Sequence, residues 1–229
     1  MYILNFALVL LLVGLCAAEK GFHEKLGCHF NPTNPSCEVF NAWIDRVCVY
    51  ACNGLAVKQI QMEFDACCTY LDIANHFAGD DGDRPGVGCF FFKAARLECE
   101  HGAKLMDHLS FSGQRNNISG VVKAPSIAIR KWNNVADAMQ IAVSLEAKIA
   151  KAIRNLISAC KCQTCECCGG IAPCNFRHFV DFLTGLYLDG RGQLRGQRKL
   201  AGMFSKLSKL EELMGRELAI NMMDTTFND

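Results

Sequence analysis

Phe91-Phe92-Lys93-Ala94-Ala95-Arg96-Leu97-Glu98-Cys99-Glu100-His101-Gly102-Ala103-Lys104-Leu105 is the stretch on which the fold turns. Phe91, Ala94, Glu98, His101 and Leu105 recur every three or four residues, so they share one face of a helix. That face is apolar at both ends and polar in the middle. A carboxylate taken into a core costs on the order of several kcal/mol unless it is paired or metal-bound. The same interruption occurs in two other stripes. Glu63 sits among Ile60, Cys67, Tyr70, Ala74 and Phe77, and Glu146 sits among Val135, Met139, Ala142, Ile149, Ile153 and Leu156. Three mid-helix glutamates facing one core repel one another, and a cation between them turns repulsion into attraction.

Glu98 and His101, at i and i+3, point to one side of their helix. Glu-x-x-His combined with single glutamates from other helices is the di-iron carboxylate pattern. Only one Glu-x-x-His occurs here, so the expected site is lopsided. One metal takes Glu63, Glu98 and His101; the other shares Glu98 and takes Glu146 and a weaker ligand. Hard oxygens with one imidazole suit iron or manganese better than copper or structural zinc. A lone Glu-x-x-His is common on solvated helices; the coincidence of three polar positions, each near the middle of its own stripe, favours a metal. Tyr70 lies two turns from Glu63 on the same face, as a core aromatic or a hydrogen-bonding neighbour of the site.

The rest of the chain organises around these stripes. A helical pattern starts near Phe40 and ends at Gly79-Asp80-Asp81-Gly82-Asp83, a turn cluster. Pro85 opens the second helix at a position where proline is tolerated. Asn116-Asn117, Gly120 and Pro125 exclude a continuous helix across 113–126. A third helix is predicted from Ile127 or Trp132 to Cys160, a fourth from His178 to Leu210, and a short amphipathic piece over Leu213–Met223. No run alternates like a strand. Helices of roughly 28 residues span about 40 Å at 1.5 Å per residue. The predicted fold is all-α: a four-helix bundle with one long crossover connection and a short fifth helix.

Composition narrows the function. The 229 residues carry a formal net charge of +1, which argues against a nucleic-acid partner, whose phosphates demand a basic surface. Ile3–Leu15 is an apolar run, short for a membrane span, followed by Cys16-Ala17-Ala18, so residues 1–18 read as a signal peptide cleaved near Ala18 or Glu19, with an uncleaved anchor as the rival reading. No other stretch is long and apolar enough to span a membrane. An export signal and 15 cysteines, of which Cys16 leaves with the signal, place the chain in the secretory pathway or outside the cell, with several disulfides. Residues 19–39 read as a cysteine-containing arm that Cys28 and Cys37 could tie, and 40–225 as the bundle, with a Cys-rich insertion over 160–177; sequence alone does not give the disulfide connectivity. The Cys-x-x-Cys spacing among Cys160, Cys162, Cys165, Cys167, Cys168 and Cys174 suits zinc or copper, but an oxidising compartment favours disulfides. Asn117-Ile118-Ser119 is a glycosylation acceptor in the crossover.

The stretch from Phe91 to Leu105 resembles the second helix of animal ferritins. Trp132 with Asn134–Leu145, Glu146 and Lys148 resembles the third, and Asp181–Leu188 with Gln193–Gly202 the fourth. Asp83-Arg84-Pro85-Gly86 and the His101-Gly102 pair resemble the secreted heavy-chain homologues of insects. The similarity covers roughly residues 45–225. It implies a heavy-chain ferroxidase centre, in which Glu63, Glu98 and His101 hold the first iron, Glu98 bridges, Glu146 and Gln193 hold the second, and Tyr70 stands beside them. It implies oxidation of two Fe(II) by dioxygen or peroxide at a di-iron centre. It further implies ferric mineral growth inside a 24-subunit shell that can include a light-chain homologue.

The resemblance has departures. Leu97 stands where heavy chains usually carry a second carboxylate, so handover of iron to the cavity is expected to slow. Asp181 matches an acid of the threefold channel, while Thr184 replaces another. Asp189-Gly190-Arg191-Gly192 replaces a Glu-Glu pair with two residues added, which in an unbroken helix rotates one side by about 200° against the other. A local distortion between Asp189 and Gly192, leaving Gln193 facing Glu146, is therefore predicted. The matching insect proteins carry cysteines aligned with Cys52 and Cys160, which implies that this pair bridges. Cys67, Cys68, Cys89 and Cys99 read as small core or surface residues. Two other functions compete: a structural shell subunit that has lost rapid oxidation, and a cysteine-rich secreted binding protein on a ferritin scaffold.

Overall fold

The computed structural model describes residues 51–80, 82–111, 123–124, 132, 134–161, 177–188 and 193–227. Their regular structure is entirely helical, with no strand among them. Helix α1 spans Ala51–Ala78, α2 Pro85–Phe111 and α3 Val135–Cys160. Helix α4, Arg177–Leu183, continues as a π-helical segment over Thr184–Leu188; α5 spans Gln193–Met214 and α6 Arg216–Phe227. This is the expected all-α bundle, its fourth column made of α4 and α5 and its short fifth helix of α6. The arm, the signal segment, the glycosylation acceptor, the cysteine cluster beyond Cys160 and Asp189–Gly192 lie outside the described residues. No described helix is long and apolar enough to cross a membrane.

The turn between α1 and α2 falls where the Gly/Asp cluster places it. Gly82 and Asp83 N–H groups donate to Gly79 O at 3.1 and 2.9 Å, and Arg84 N–H to Phe77 O at 2.9 Å. Helix α3 starts later than its sequence pattern suggests, at Val135 instead of Ile127 or Trp132. Asn134 is extended, with φ −165° and ψ 169°, and its side-chain oxygen accepts from Asp137 N–H at 2.9 Å. Its amide donates back to the Asp137 carboxylate at 3.1 Å, so cap and first turn satisfy each other. Trp132 precedes the helix and ties the end of the crossover to α1, donating its indole N–H to Asp72 at 2.8 Å. Gln61 of α1 holds the crossover again, donating to Lys123 O at 3.2 Å and accepting from Lys123 N–H at 2.7 Å.

The fourth column, expected from His178 to Leu210 with a distortion at Asp189–Gly192, is described in two parts, Arg177–Leu188 and Gln193–Met214. Its described departure from α geometry lies upstream of the expected place, at Thr184–Leu188, where the backbone widens into a π turn. Such a turn takes in extra chain without ending the helix, and so absorbs part of a register mismatch. Thr184 Oγ donates to Val180 O at 2.7 Å there, and Tyr187 is fully buried. The fifth helix also begins later than expected, because Gly215 adopts φ +82° and ends α5, a left-handed cap that suits glycine. Asp224 of α6, almost buried, accepts from Val87 N–H at 2.8 Å, putting a carboxylate at the positive end of α2.

The core is two apolar clusters. One joins Ile60, Leu105, Leu109, Ile149, Ile153, Leu156, Leu183 and Tyr187. The other joins Cys67, Tyr70, Ile73, Phe91, Met139, Ala142, Leu200, Leu207 and Ile220. Each fully buried large side chain contributes about 1.5–3 kcal/mol. Between the clusters in α1, α2 and α3 fall Glu63, Glu98 and Glu146, all buried.

Candidate metal centre

Glu63, Glu98 and His101 each offer one ligand atom, and these atoms lie within 4.8 Å of one another. His101 Nδ1 is 3.3 Å from Glu98 Oε2, within α2, and 3.9 Å from Glu63 Oε2, across to α1. Glu63 Oε1 accepts from Gln59 Nε2 at 2.6 Å. Its other oxygen, Oε2, is buried and accepts no hydrogen bond. A buried carboxylate oxygen without a donor is costly; a proton shared with Glu98, an ordered water or a cation would satisfy it. Burial, and then the Glu98 carboxylate beside it, push the Glu63 carboxyl well above the ordinary carboxylate range; the Gln59 hydrogen bond opposes this, and Glu146 adds to it.

Glu146 belongs to the same polar layer but not to that tight triangle. Tyr70 Oη donates to Glu146 Oε1 at 2.7 Å, which fixes the α3 carboxylate against α1. Burial first, then the Glu146 charge, push the Tyr70 phenol well above its usual range, so it remains a donor at physiological pH. Helix α5 begins at Gln193, whose side chain lies outside the described part, so its expected approach to Glu146 does too. Of the six residues singled out in the sequence, the structure thus brings Glu63, Glu98 and His101 together and sets Glu146 with Tyr70 beside them.

Several neighbours escaped the sequence reading. Gln59 lies one turn before Glu63 on the same stripe, a signal that was present in the periodicity. Tyr187 packs its ring 5.4 Å from that of His101 and donates to His101 O at 3.3 Å, a contact made only by the fourth column. Burial, then the charges of Glu63 and Glu98, hold its phenol far above the usual range. Cys67 and Cys99 are not merely small core residues: they form a disulfide between α1 and α2 with Cα atoms 5.3 Å apart. Cys68 and Cys89 are free thiols. Cys160 is disulfide-bonded; its implied pairing with Cys52 lies outside the described part.

Gly102 is where α2 comes close to α1 at this level of the bundle. A Cβ there would stand 3.2 Å from the Phe64 ring and 3.3 Å from Glu63 Cβ, so a larger residue would press α2 away from α1 at the site. Leu97, next to Glu98, points outward with 54% of its surface exposed, and supplies no donor atom there.

A helical bundle whose core is split by a layer of buried carboxylates and one imidazole defines a class of protein: a ferritin-like metal-handling bundle. The comparisons agree with the geometry. The ferritin-like domain matches residues 55–164. The ferritin heavy chain of Drosophila melanogaster is 40% identical over 190 residues, covering 82% of this chain and 86% of its own. That of Trichoplusia ni is 34% identical over 194 residues, covering 84% and 83%. The crystal structure of Trichoplusia ni secreted ferritin superposes with a TM-score of 0.71 at 33% identity, covering 87% of this chain and 96% of that one. The chain belongs to the ferritin family.

Proposed function

We propose that this chain is a secreted, heavy-type ferritin subunit that oxidises Fe(II) to Fe(III) and stores ferric mineral within a 24-subunit shell. The observation that carries this reading is the buried Glu63–Glu98–His101 cluster with an unsatisfied Glu63 oxygen, placed between two apolar clusters. In this reading one iron is taken by Glu63, Glu98 and His101. A second shares Glu98 and is held by Glu146 and Gln193, with Tyr70 orienting Glu146. Each Fe(II) loses one electron; dioxygen gains two electrons and two protons and leaves as hydrogen peroxide, or peroxide serves as the oxidant. The carboxylates favour the product, because anionic ligands stabilise the higher charge of Fe(III). The secreted Trichoplusia ni relative supports export, with residues 1–18 as the signal, 19–39 as the arm and 40–225 as the bundle.

Aerobic Fe(II) oxidation at two irons per subunit tests it. Glu98→Ala is expected to lower the initial rate by more than the roughly 10–100-fold typical of losing a group that only supports a ligand. His101→Ala is expected to weaken mainly the first metal. Unchanged rates in both variants would sink the assignment. The exposed Leu97 favours a second reading, a shell-building subunit with little oxidation of its own. A wild-type rate no faster than iron in buffer, in a protein that still assembles, would establish that one.

A further inference from the structure

The Cys67–Cys99 disulfide lies at the level of the candidate ligands. Cys67 is one helical turn after Glu63 in α1; Cys99 directly follows Glu98 and precedes His101 by two residues in α2. Every member of the ligand triangle is therefore within about one turn of the bridge, on one of the two helices it joins. Cys67 is 2% exposed, and Cys99 packs against the same apolar cluster, so the bridge is set into the core rather than laid across the surface.

The ligand layer does little to set its own spacing. The Glu63 hydrogen bond runs to Gln59 in its own helix, and the Glu98–His101 contact stays within α2. Two contacts cross: His101 Nδ1 to Glu63 Oε2, at 3.9 Å too long for a hydrogen bond, and the Glu63–Glu98 carboxyl pair, which ties the helices only through a shared proton that a bound cation displaces. The other covalent tie between α1 and α2 is the chain itself at Gly79–Arg84. That turn lies 16 residues beyond Glu63, about 24 Å along the helix at 1.5 Å per residue. A splay of roughly 2–3° about it would move the ligands apart by about 1 Å, enough to spoil a site held to about 0.5 Å.

We propose that Cys67 and Cys99 are positioning residues for this centre: their bridge fixes the α1–α2 separation so that Glu63, Glu98 and His101 keep a cation-sized gap. Gly102 acts with it. The absence of a Cβ lets α2 approach Glu63 and Phe64, and the bridge prevents the helices from parting. This rests on reading the triangle as the iron site, and it adds a determinant of metal affinity that no ligand substitution would reveal.

The test is a Co(II) titration of the full-length protein, read by calorimetry and by Co(II) visible absorption, with Glu98→Ala as the control for the site. The Cys67→Ala/Cys99→Ala variant is expected to bind Co(II) about tenfold or more weakly, the range seen when support for a ligand is lost. Its absorption band should change while its helix content by circular dichroism does not. If that variant fails to fold, wild-type protein is partially reduced, the opened cysteines are mapped by alkylation and mass spectrometry, and the titration is repeated before and after reoxidation. Weakened binding that returns on reoxidation is the expected result. Unchanged affinity and spectrum with the bridge demonstrably open overturn the proposal, as do free thiols at Cys67 and Cys99 in the secreted protein. If the intact protein binds no Co(II), the reading of the site itself has failed. If it binds and the bridge makes no difference, only the positioning role has.

Discussion

At the scale of single residues, Glu63 is the most constrained group described. Its carboxyl is held protonated, by burial and then by Glu98, at pH values where the unfolded chain has released that proton. The native state therefore binds more protons than the unfolded state in that window, and stability falls as pH rises through it. The difference in Tm between metal-free wild type and Glu63→Gln isolates this group. Wild type is expected to lose ground to the variant as pH rises above the ordinary carboxylate value near 4.5. A saturating divalent ion should remove the loss and release protons on binding, measurable by titrating in buffers of different ionisation enthalpy. A pH-independent difference would show that Glu63 is ionised throughout. The stripe pattern showed that Glu63, Glu98 and Glu146 face inward, because 3.6-residue periodicity is local. It did not show Tyr187, whose contact with His101 depends on where another helix lies.

At the scale of elements, start and stop chemistry decided what periodicity left open. Trp132 continues an apolar pattern, yet Asn134 caps the helix two residues later, and the indole bonds across to Asp72. Asn134→Ala removes the acceptor for Asp137 N–H and should cost about 1 kcal/mol by denaturant unfolding, where Asn134→Ser, which keeps an acceptor and puts no second carboxylate beside Asp137, should cost little. An equal loss in both would mean that the cap contributes nothing. The fourth column shows the same lesson. Its residue pattern required a correction of register near Asp189–Gly192; the described backbone widens already at Thr184–Leu188. A π turn forms where neighbouring packing favours it, and buried Tyr187 lies within this one.

For the whole molecule, the tie between α1 and α2 carries stability as well as geometry. The bridge spans a sequence separation of 32 residues. Closing such a loop lowers the entropy of the unfolded chain by an amount worth about 3–4 kcal/mol. Cys67→Ala/Cys99→Ala should therefore lower Tm by roughly 10 °C in calorimetry of the metal-free protein, at about 2–4 °C per kcal/mol for a domain of this size. A shift within a degree or two of zero would mean that the unfolded chain gains little freedom from losing the bridge.

The sequence by itself determined the all-α fold, the three inward glutamates, the Glu-x-x-His pair and the turn at Gly79–Asp83. Each follows from periodicity or turn chemistry acting over a few residues. Its resemblance to ferritins pointed to the family that the relatives bear out. Only the tertiary structure decided that Cys67 meets Cys99, that Tyr70 holds Glu146, that Tyr187 backs His101, and that Asp224 caps α2. Those contacts join positions that are 32 to 137 residues apart. Which of many chemically suitable partners meet is set by how whole helices pack, and a local pattern of residues does not contain that information.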